Sequence, residues 1–203
     1  TFDGGVNLHS GRLVLGNDNA LGTGRFDIFG GSIQADGDRN ISNDMRWRGD
    51  FRFRDGGMFT FVGSDVTMFD DITITFCNVA GVTFDENSRI RLWDNSQLTL
   101  TTDFDSDLGE FEQKFIVIDG RITNSGGLTV AGGAHVTLNN NDNTYRGDTF
   151  VTDSATLVIG DLAVIGNDTS VFVEVSDNAT LQINGAYPDG DFGTIFGDVE
   201  AYN

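Results

Sequence analysis

Two small residues, followed by apolar residues at alternate positions, mark residues 132–138, which read Gly132-Gly133-Ala134-His135-Val136-Thr137-Leu138. Glycine supplies the positive φ that a tight turn needs. Alternation of apolar and polar residues places every second side chain on the same side of a strand. The stretch therefore predicts a turn that leads into a half-buried β-strand.

The same pattern of turn and strand recurs along the chain. Further copies lie at residues 10–15, 30–33, 56–61, 87–92, 95–100, 153–157 and 177–183. Six main steps between Leu13 and Leu181 average about 28 residues, or about 24 if a degenerate copy at residues 120–122 is counted. Both values fall within the range of roughly 20–50 residues that is typical of repeat architectures.

One coil of a parallel β-helix explains this spacing better than stacked hairpins, which need a tight turn every 8–12 residues or so. The 17 phenylalanines fall mostly at apolar strand positions, where successive coils can stack them as ladders. Parallel crossovers are almost always right-handed. We therefore predict an all-β, right-handed parallel β-helix (a β-solenoid) of about eight rungs, roughly 40 Å long. The residues expected to point into its single core are Leu13, Leu15, Val136, Leu138, Leu157, Ile159, Leu181 and Ile183.

The composition excludes some functions. Asp and Glu number 31 against 12 Lys and Arg, which gives a net charge of −19. Nucleic acid is not expected as a partner, because phosphate binding needs a basic surface. The single cysteine, Cys77, cannot form an internal disulfide and is expected to be a small buried hydrophobe. No signal peptide and no apolar stretch long enough to span a membrane is present, so no membrane insertion is predicted within this segment.

Two stretches resemble a known family. Residues 126–138 carry Gly126-Gly127-Leu128-Thr129-Val130 and the pattern quoted above, and they lead into Asn143-Thr144-Tyr145-Arg146-Gly147-Asp148-Thr149. Residues 13–24 read Leu13-Val14-Leu15-Gly16-Asn17-Asp18-Asn19-Ala20-Leu21-Gly22-Thr23-Gly24. Together, residues 1–24 and 126–166 resemble the autotransporter-associated β-strand repeat, the passenger-associated repeat of bacterial autotransporters. The resemblance implies a β-helix outside the cell, secreted or on the bacterial surface, which serves as a spacer, adhesin or scaffold and has no catalytic residues.

An arginine-rich strand pattern occupies residues 45–54. Its apolar side chains, Trp47, Phe51 and Phe53, are expected to be buried on one side of the strand. On the other side the pattern predicts an exposed stripe of Arg46, Arg48, Arg52 and Arg54. Two interpretations remain open: a solvated strand face, or an interface that docks a neighbouring acidic surface protein or an anionic glycan.

Acidic residues form the stronger of two candidate calcium sites. Asp103, Asp105 and Asp107 resemble a calcium loop, because calcium prefers several oxygen ligands on a flexible segment. Leu108 stands where an EF-hand needs glycine, so that motif fails and a solvated acidic loop is the alternative. A similar cluster comprises Asp36, Asp38, Asn40 and Asp44. No other cofactor is predicted.

An enzymatic function is considered because many β-helices cleave acidic polysaccharides, and it ranks third among the predicted functions. Such sites need clustered carboxylates that flank the sugar. Asp70 and Asp71 are adjacent, so their side chains are expected on opposite sides of the chain, and His9 and His135 lie in separate repeats. We predict no catalytic residues.

The two ends of the chain complement each other. Tyr202-Asn203 followed by Thr1-Phe2 gives a sequence that resembles the turn at Asn143. This predicts that residues 1–203 are a single β-helix segment, a fragment or one period of a longer repetitive chain, with Thr1, Phe2, Tyr202 and Asn203 at a head-to-tail self-association interface. The predicted function is a structural component of an extracellular filament, stalk or cell-surface scaffold. The alternative is an adhesin passenger domain that binds cells or glycans.

Overall fold

A computed structural model of the chain describes residues 2–103, 115–160, 165, 172–184, 195–196 and 199–202, and only these are discussed below. Every regular element among them is a β-strand. In chain order the strands are β1 (Val6–Leu8), β2 (Arg12–Leu15), β3 (Phe26–Ile28), β4 (Ser32–Ala35), β5 (Arg39–Ile41), β6 (Met45–Trp47), β7 (Phe51–Phe61), β8 (Asp65–Met68), β9 (Ile72–Phe84), β10 (Arg89–Leu92), β11 (Gln97–Thr102), β12 (Phe115–Ile118), β13 (Arg121–Asn124), β14 (Gly127–Ala131), β15 (His135–Leu138), β16 (Thr144–Tyr145), β17 (Thr149–Val151), β18 (Thr156–Ile159), β19 (Val173–Val175), β20 (Thr180–Asn184), β21 (Ile195–Phe196) and β22 (Val199–Tyr202).

All strand pairs are parallel, and the strands lie on three faces of the coil. Face 1 consists of β1, β3, β6, β8, β10, β13 and β16. Face 2 consists of β2, β4, the first parts of β7 and β9, and then β11, β14, β17, β19 and β21. Face 3 consists of β5, the last parts of β7 and β9, and then β12, β15, β18, β20 and β22. The all-β parallel β-helix is therefore confirmed, with about seven coils.

The copies of the turn-and-strand pattern lie on different faces. The copy at 10–15 forms β2 on face 2, the copy at 87–92 forms β10 on face 1, and the copy at 132–138 forms β15 on face 3. Val6 lies opposite Phe26, and Phe26 opposite Met45, so one coil takes about 20 residues here. Along face 2 the steps between in-register partners range from 20 to 30 residues and average about 23, which is close to the predicted 24 and below 28. The copies of the pattern are nevertheless not equivalent positions, because they lie on different faces. Strands on all three faces turn alternate side chains toward the same core, so their patterns look alike.

The core is one continuous cluster that extends through the coils. Of the eight residues predicted to line it, seven are buried, with at most 7% of the side chain exposed. Leu13 packs against the same cluster but is only half-buried, because β2 has a partner strand on one side only. The prediction of a single core is confirmed.

Phenylalanine ladders connect the widest coils. Phe53 on β7 stacks on Phe76 on β9, with ring centroids 5.6 Å apart, and the pair is in register. Phe61 stacks on Phe84 in the same way, at 4.6 Å. Such pairs contribute about 0.5–1.5 kcal/mol beyond the burial of their area. The predicted ladders are present because parallel register places equivalent residues directly above one another.

Replacing Leu157 with Asp should lower the free energy of unfolding by several kcal/mol, because the side chain is fully buried and an unpaired charge would enter the core. Equilibrium unfolding in urea measures the loss. Thr156→Asp, on the outward side of the same strand, is the matched control and should cost less than about 1 kcal/mol. Similar losses in both variants would contradict the inward assignment of Leu157.

Candidate functional site

Aspartates at the corners of the coil hold neighbouring coils together. At the corner between faces 1 and 2, their carboxylates accept hydrogen bonds from backbone amides of the following coil. These bonds run from Thr73 N to Asp50 Oδ1 (2.7 Å), from Gln97 N to Asp71 Oδ1 (2.8 Å) and from Phe172 N to Asp148 Oδ1 (3.2 Å). Asp71, one of the carboxylates considered for catalysis, therefore has a structural partner.

The other two corners use carboxylates in the same way. Asp18 accepts from Asn40 N, Asp38 from Met58 N, Asp44 from Asp65 N, and Asp85 from Gly63 N, at 2.9–3.2 Å. Asp36 instead forms an ion pair with Arg39. The weaker predicted acidic cluster, at Asp36, Asp38, Asn40 and Asp44, is thus engaged with adjacent coils.

Asp103, in the stronger predicted calcium cluster, is exposed and pairs with Arg52 at 2.8 Å. Asp105 and Asp107 lie outside the described residues, so the calcium site stays a prediction. Elsewhere, within the part of the chain that the structure describes, no group of three or more His, Cys, Asp or Glu side chains could hold a metal ion.

The potential nucleophile, Cys77, and the two histidines belong to different strands or turns. Burial, and next the charge of Asp103, raises the pKa of the half-buried Cys77 thiol, so the thiol is held in its unreactive protonated form. Burial lowers the pKa of His135, which lies on face 3 with its ring 5.1 Å from the ring of Phe115. His9 follows β1 on face 1 and stacks on Phe29 at 4.4 Å. The two histidines therefore belong to different faces.

The predicted arginine stripe is divided by a corner. Trp47, Phe51 and Phe53 are buried as expected. However, β6 ends at Trp47 and β7 begins at Phe51, so the chain changes face between them. Arg46 lies on face 1 and Arg48 at the corner, whereas Arg52 and Arg54 lie on face 2. The prediction of one stripe was wrong, because alternation was extended through residues that form a turn.

Face 1 gathers a different set of basic residues, which the sequence did not reveal. It carries seven of the chain's twelve basic residues, in its strands or directly beside them: Arg25, Arg46, Arg48, Arg89, Arg91, Arg121 and Arg146. We call this set the basic face. Only the register between coils, which places Arg89 opposite Arg121, brings these distant residues together.

A column of exposed rings runs along the corner that follows face 1. Phe29, Phe69 and Trp93 each come directly after a face 1 strand and are 38–50% exposed. Arg48 lies over the ring of Phe29 at 5.4 Å, and Phe69 stacks on Trp93 at 6.4 Å. This column is the main exposed aromatic feature in the described ranges, and sequence reasoning missed it.

The residues of the motif at 143–149 have structural roles. Asn143 is 1% exposed, and its Oδ1 accepts a hydrogen bond from Ile122 N at 2.8 Å. The buried Tyr145 hydroxyl lies 2.8 Å from Thr149 Oγ1. A Cβ on Gly147 would come within 2.5 Å of Gly126 C, so only glycine allows the coils to approach so closely.

Two of the four predicted terminal interface residues, Thr1 and Asn203, lie outside the described residues. Phe2 is described and is 49% exposed. Tyr202 is the last residue of β22, where its backbone pairs with Asn184. The strands nearest the two termini lie at opposite ends of the stack, because β1 pairs only with β3 and β22 only with β20.

No family model, curated protein or solved structure matches the chain. Among the described residues there is no helix with the length and apolar character needed to cross a membrane.

Replacing Asp85 with Asn tests the corner hydrogen bonds. Burial alone would raise the pKa of Asp85, but hydrogen bonds from Gly63, Ser88 and Asn87 together hold it below its ordinary value of 3.8. Because the pKa is depressed in the folded state, this stabilisation is present above pH 3.8 and disappears as the pH falls through the folded-state pKa. Asp85→Asn should therefore lower the free energy of unfolding by about 1 kcal/mol at pH 7 and have little effect near pH 2.

Unfolding in urea between pH 7 and about pH 2 measures the free energy of unfolding of the wild type and of Asp85→Asn. Asp70→Asn is the control, because Asp70 is exposed and accepts no hydrogen bond within the described ranges. Equal effects of the two substitutions at pH 7 would contradict a structural role for Asp85.

Proposed function

We propose that this chain is a non-catalytic structural element of an extracellular filament, stalk or cell-surface scaffold of a bacterium, which stacks head to tail through the ends of its β-helix. The observation that carries the proposal is the single hydrophobic core that passes through the coils without interruption. In a rod built in this way each coil packs and hydrogen-bonds only with its neighbours, so a further coil can be added at an end without any change to the rest.

The chemistry of the surface supports the same role. Corner carboxylates, which in a polysaccharide-cleaving enzyme would be grouped around the sugar, here cap backbone amides on adjacent coils. Much of the acidic composition is thus used to couple coils, and the remaining charge keeps the rod soluble.

The first coil offers a surface for stacking. β1 and β2 each pair with one strand, so their outer backbone groups are free to accept a further coil. Val6 and Leu13 are half-buried there, whereas the residues opposite them on the next coil, Phe26 and Ile33, are 1% exposed. A coil from a second copy, or from the same chain if it continues, would cover these side chains.

Resemblance supports the location. The stretches at residues 1–24 and 126–166 resemble the autotransporter-associated repeat, whose members are displayed outside the cell. An oxidising environment outside the cell would form no disulfide within this chain, because Cys77 is its only cysteine.

A second candidate is an adhesin that binds a glycan, and the exposed column of Phe29, Phe69 and Trp93 favours it. Aromatic side chains at binding surfaces supply large apolar area at a low cost in conformational entropy. Phe69 and Trp93 stack on each other, so these two rings present mainly edges to a ligand.

End stacking should be weakened by Leu13→Lys, because a cation would occupy the half-buried position at the open end. Electron microscopy and sedimentation velocity of the purified protein at 1 M NaCl should show rods that lengthen with concentration, and the variant should give single short rods. Val14→Lys is the control, since Val14 is 50% exposed and points outward from the same strand. A wild-type protein that stays monomeric at high concentration would exclude the stacking role.

The adhesin candidate predicts that a bound glycan changes the fluorescence of Trp93. Trp47, the other tryptophan, is 1% exposed and should not respond. Titration with a panel of neutral and acidic polysaccharides should shift the emission of the wild type but not of Trp93→Phe. Absence of any shift across the panel would count against the adhesin.

A further inference from the structure

The basic face is an anomaly on a chain with a net charge of −19. It gathers seven arginines, while the same strands and the residues directly beside them carry three aspartates, Asp27, Asp44 and Asp65. The face is therefore locally positive although the molecule as a whole is strongly acidic.

Pairing within the chain does not account for this face. Arg89 lies directly opposite Arg121, and like charges in this position destabilise a sheet. Arg25 and Arg48 both pair with Asp27, at 2.7 and 4.0 Å, Arg91 pairs with Asp65, and Arg121 with Asp142 at 2.8 Å. Among the described residues Arg46, Arg89 and the exposed Arg146 form no ion pair. Donors of the face thus remain open to an external acceptor.

The opposite side of the coil carries the complementary charge. The corner between faces 2 and 3 lies across the three-sided coil from face 1. At this corner successive coils present a row of aspartates, which we call the acidic ridge: Asp18, Asp36, Asp38, Asp55, Asp103, Asp153 and Asp177. Arg39, Arg52 and Arg54 pair with three of them, and the four without an ion pair in the described ranges are Asp18, Asp38, Asp153 and Asp177.

We propose that the basic face of one copy docks on the acidic ridge of a second copy, so that rods associate side by side. Coils in both surfaces are about 4.8 Å apart, so the charges of each surface lie at multiples of this distance and opposite charges can be brought into step. The charges are not present in every coil, since β8 carries no arginine and the corner between β14 and β15 carries no aspartate. The contact is heterologous, because the two surfaces differ. It therefore propagates into a sheet of rods instead of closing as a dimer. This inference rests on the proposed scaffold and adds to it a lateral contact.

A second copy fits the basic face better than a polyanionic glycan. Acidic residues border the face along its length, with Asp50, Asp70 and Asp94 at one corner and Asp85 and Asp119 at the other. A polyanion that runs along the face would meet these bordering carboxylates with negative charge alone. The acidic ridge also carries Arg39, Arg52 and Arg54, which can face the borders.

Ionic strength separates this contact from end stacking. Copies of like net charge repel at long range, but at about 0.15 M salt the Debye length is only ~8 Å, so pairs in direct contact dominate. At about 1 M salt, where the Debye length is ~3 Å, the exposed pairs are weakened too. Lateral association should therefore be present at 0.15 M and lost at 1 M, while apolar end stacking persists.

The experiment uses the Leu13→Lys protein, in which end stacking is blocked, and measures association by sedimentation velocity at both salt concentrations. Arg89→Glu with Arg121→Glu should weaken association about tenfold or more, as should Asp153→Lys with Asp177→Lys. Mixing the two double variants should restore association, because each then offers the other's missing charge. Arg12→Glu, an exposed change on face 2, is the control and should have little effect. Circular dichroism verifies that every variant is folded.

Several results would overturn the proposal: monomers at 0.15 M NaCl, association that survives 1 M NaCl, equal weakening by Arg12→Glu, or no restoration on mixing. Polygalacturonate serves as the polyanion probe, and its binding to the basic face in the absence of self-association would identify an acidic glycan as the occupant instead. End stacking is measured separately, at 1 M NaCl, in the protein that keeps Leu13. A failure of the lateral contact would therefore not contradict the proposed head-to-tail scaffold.

Discussion

In-register hydrogen bonding between parallel strands of successive coils is the constraint on which the rest of this molecule depends. Because each strand lies directly above its predecessor, a residue that points inward in one coil has inward neighbours above and below. Val136 and Leu157 meet in this way, and Leu157 meets Leu181. A slip of one residue would turn a whole strand's apolar set outward, so the core and the register enforce each other.

The same stacking governs the polar residues. A parallel coil must turn three times, and at most of these turns the strand hydrogen bonds are interrupted. Aspartates such as Asp50 and Asp85 supply acceptors there, and glycines such as Gly147 allow the backbones to approach. The acidic, glycine-rich composition thus reflects in part the number of corners.

Stacking also multiplies surface features along the rod. One exposed aromatic residue or one arginine has little effect alone, but repetition in successive coils gives a column or a face of uniform character. The aromatic column beside face 1, the basic face and the acidic ridge all arise in this way. An extended, repetitive surface suits contact with another extended object, such as a neighbouring rod, more than the binding of a small substrate in a concave pocket.

The amino-acid sequence by itself determined the class of fold and the inside and outside of most strands. Alternation after a turn signal identified Leu15 in β2, Leu138 in β15 and the buried aromatic residues of β7, because burial on one side of a strand has a period of two whatever its partners. Only the tertiary structure decided which face each strand occupies, that the chain turns a corner at Arg48, and that Arg89 meets Arg121. These facts depend on how many residues each individual coil takes between long-range partners, and local sequence patterns do not determine that number.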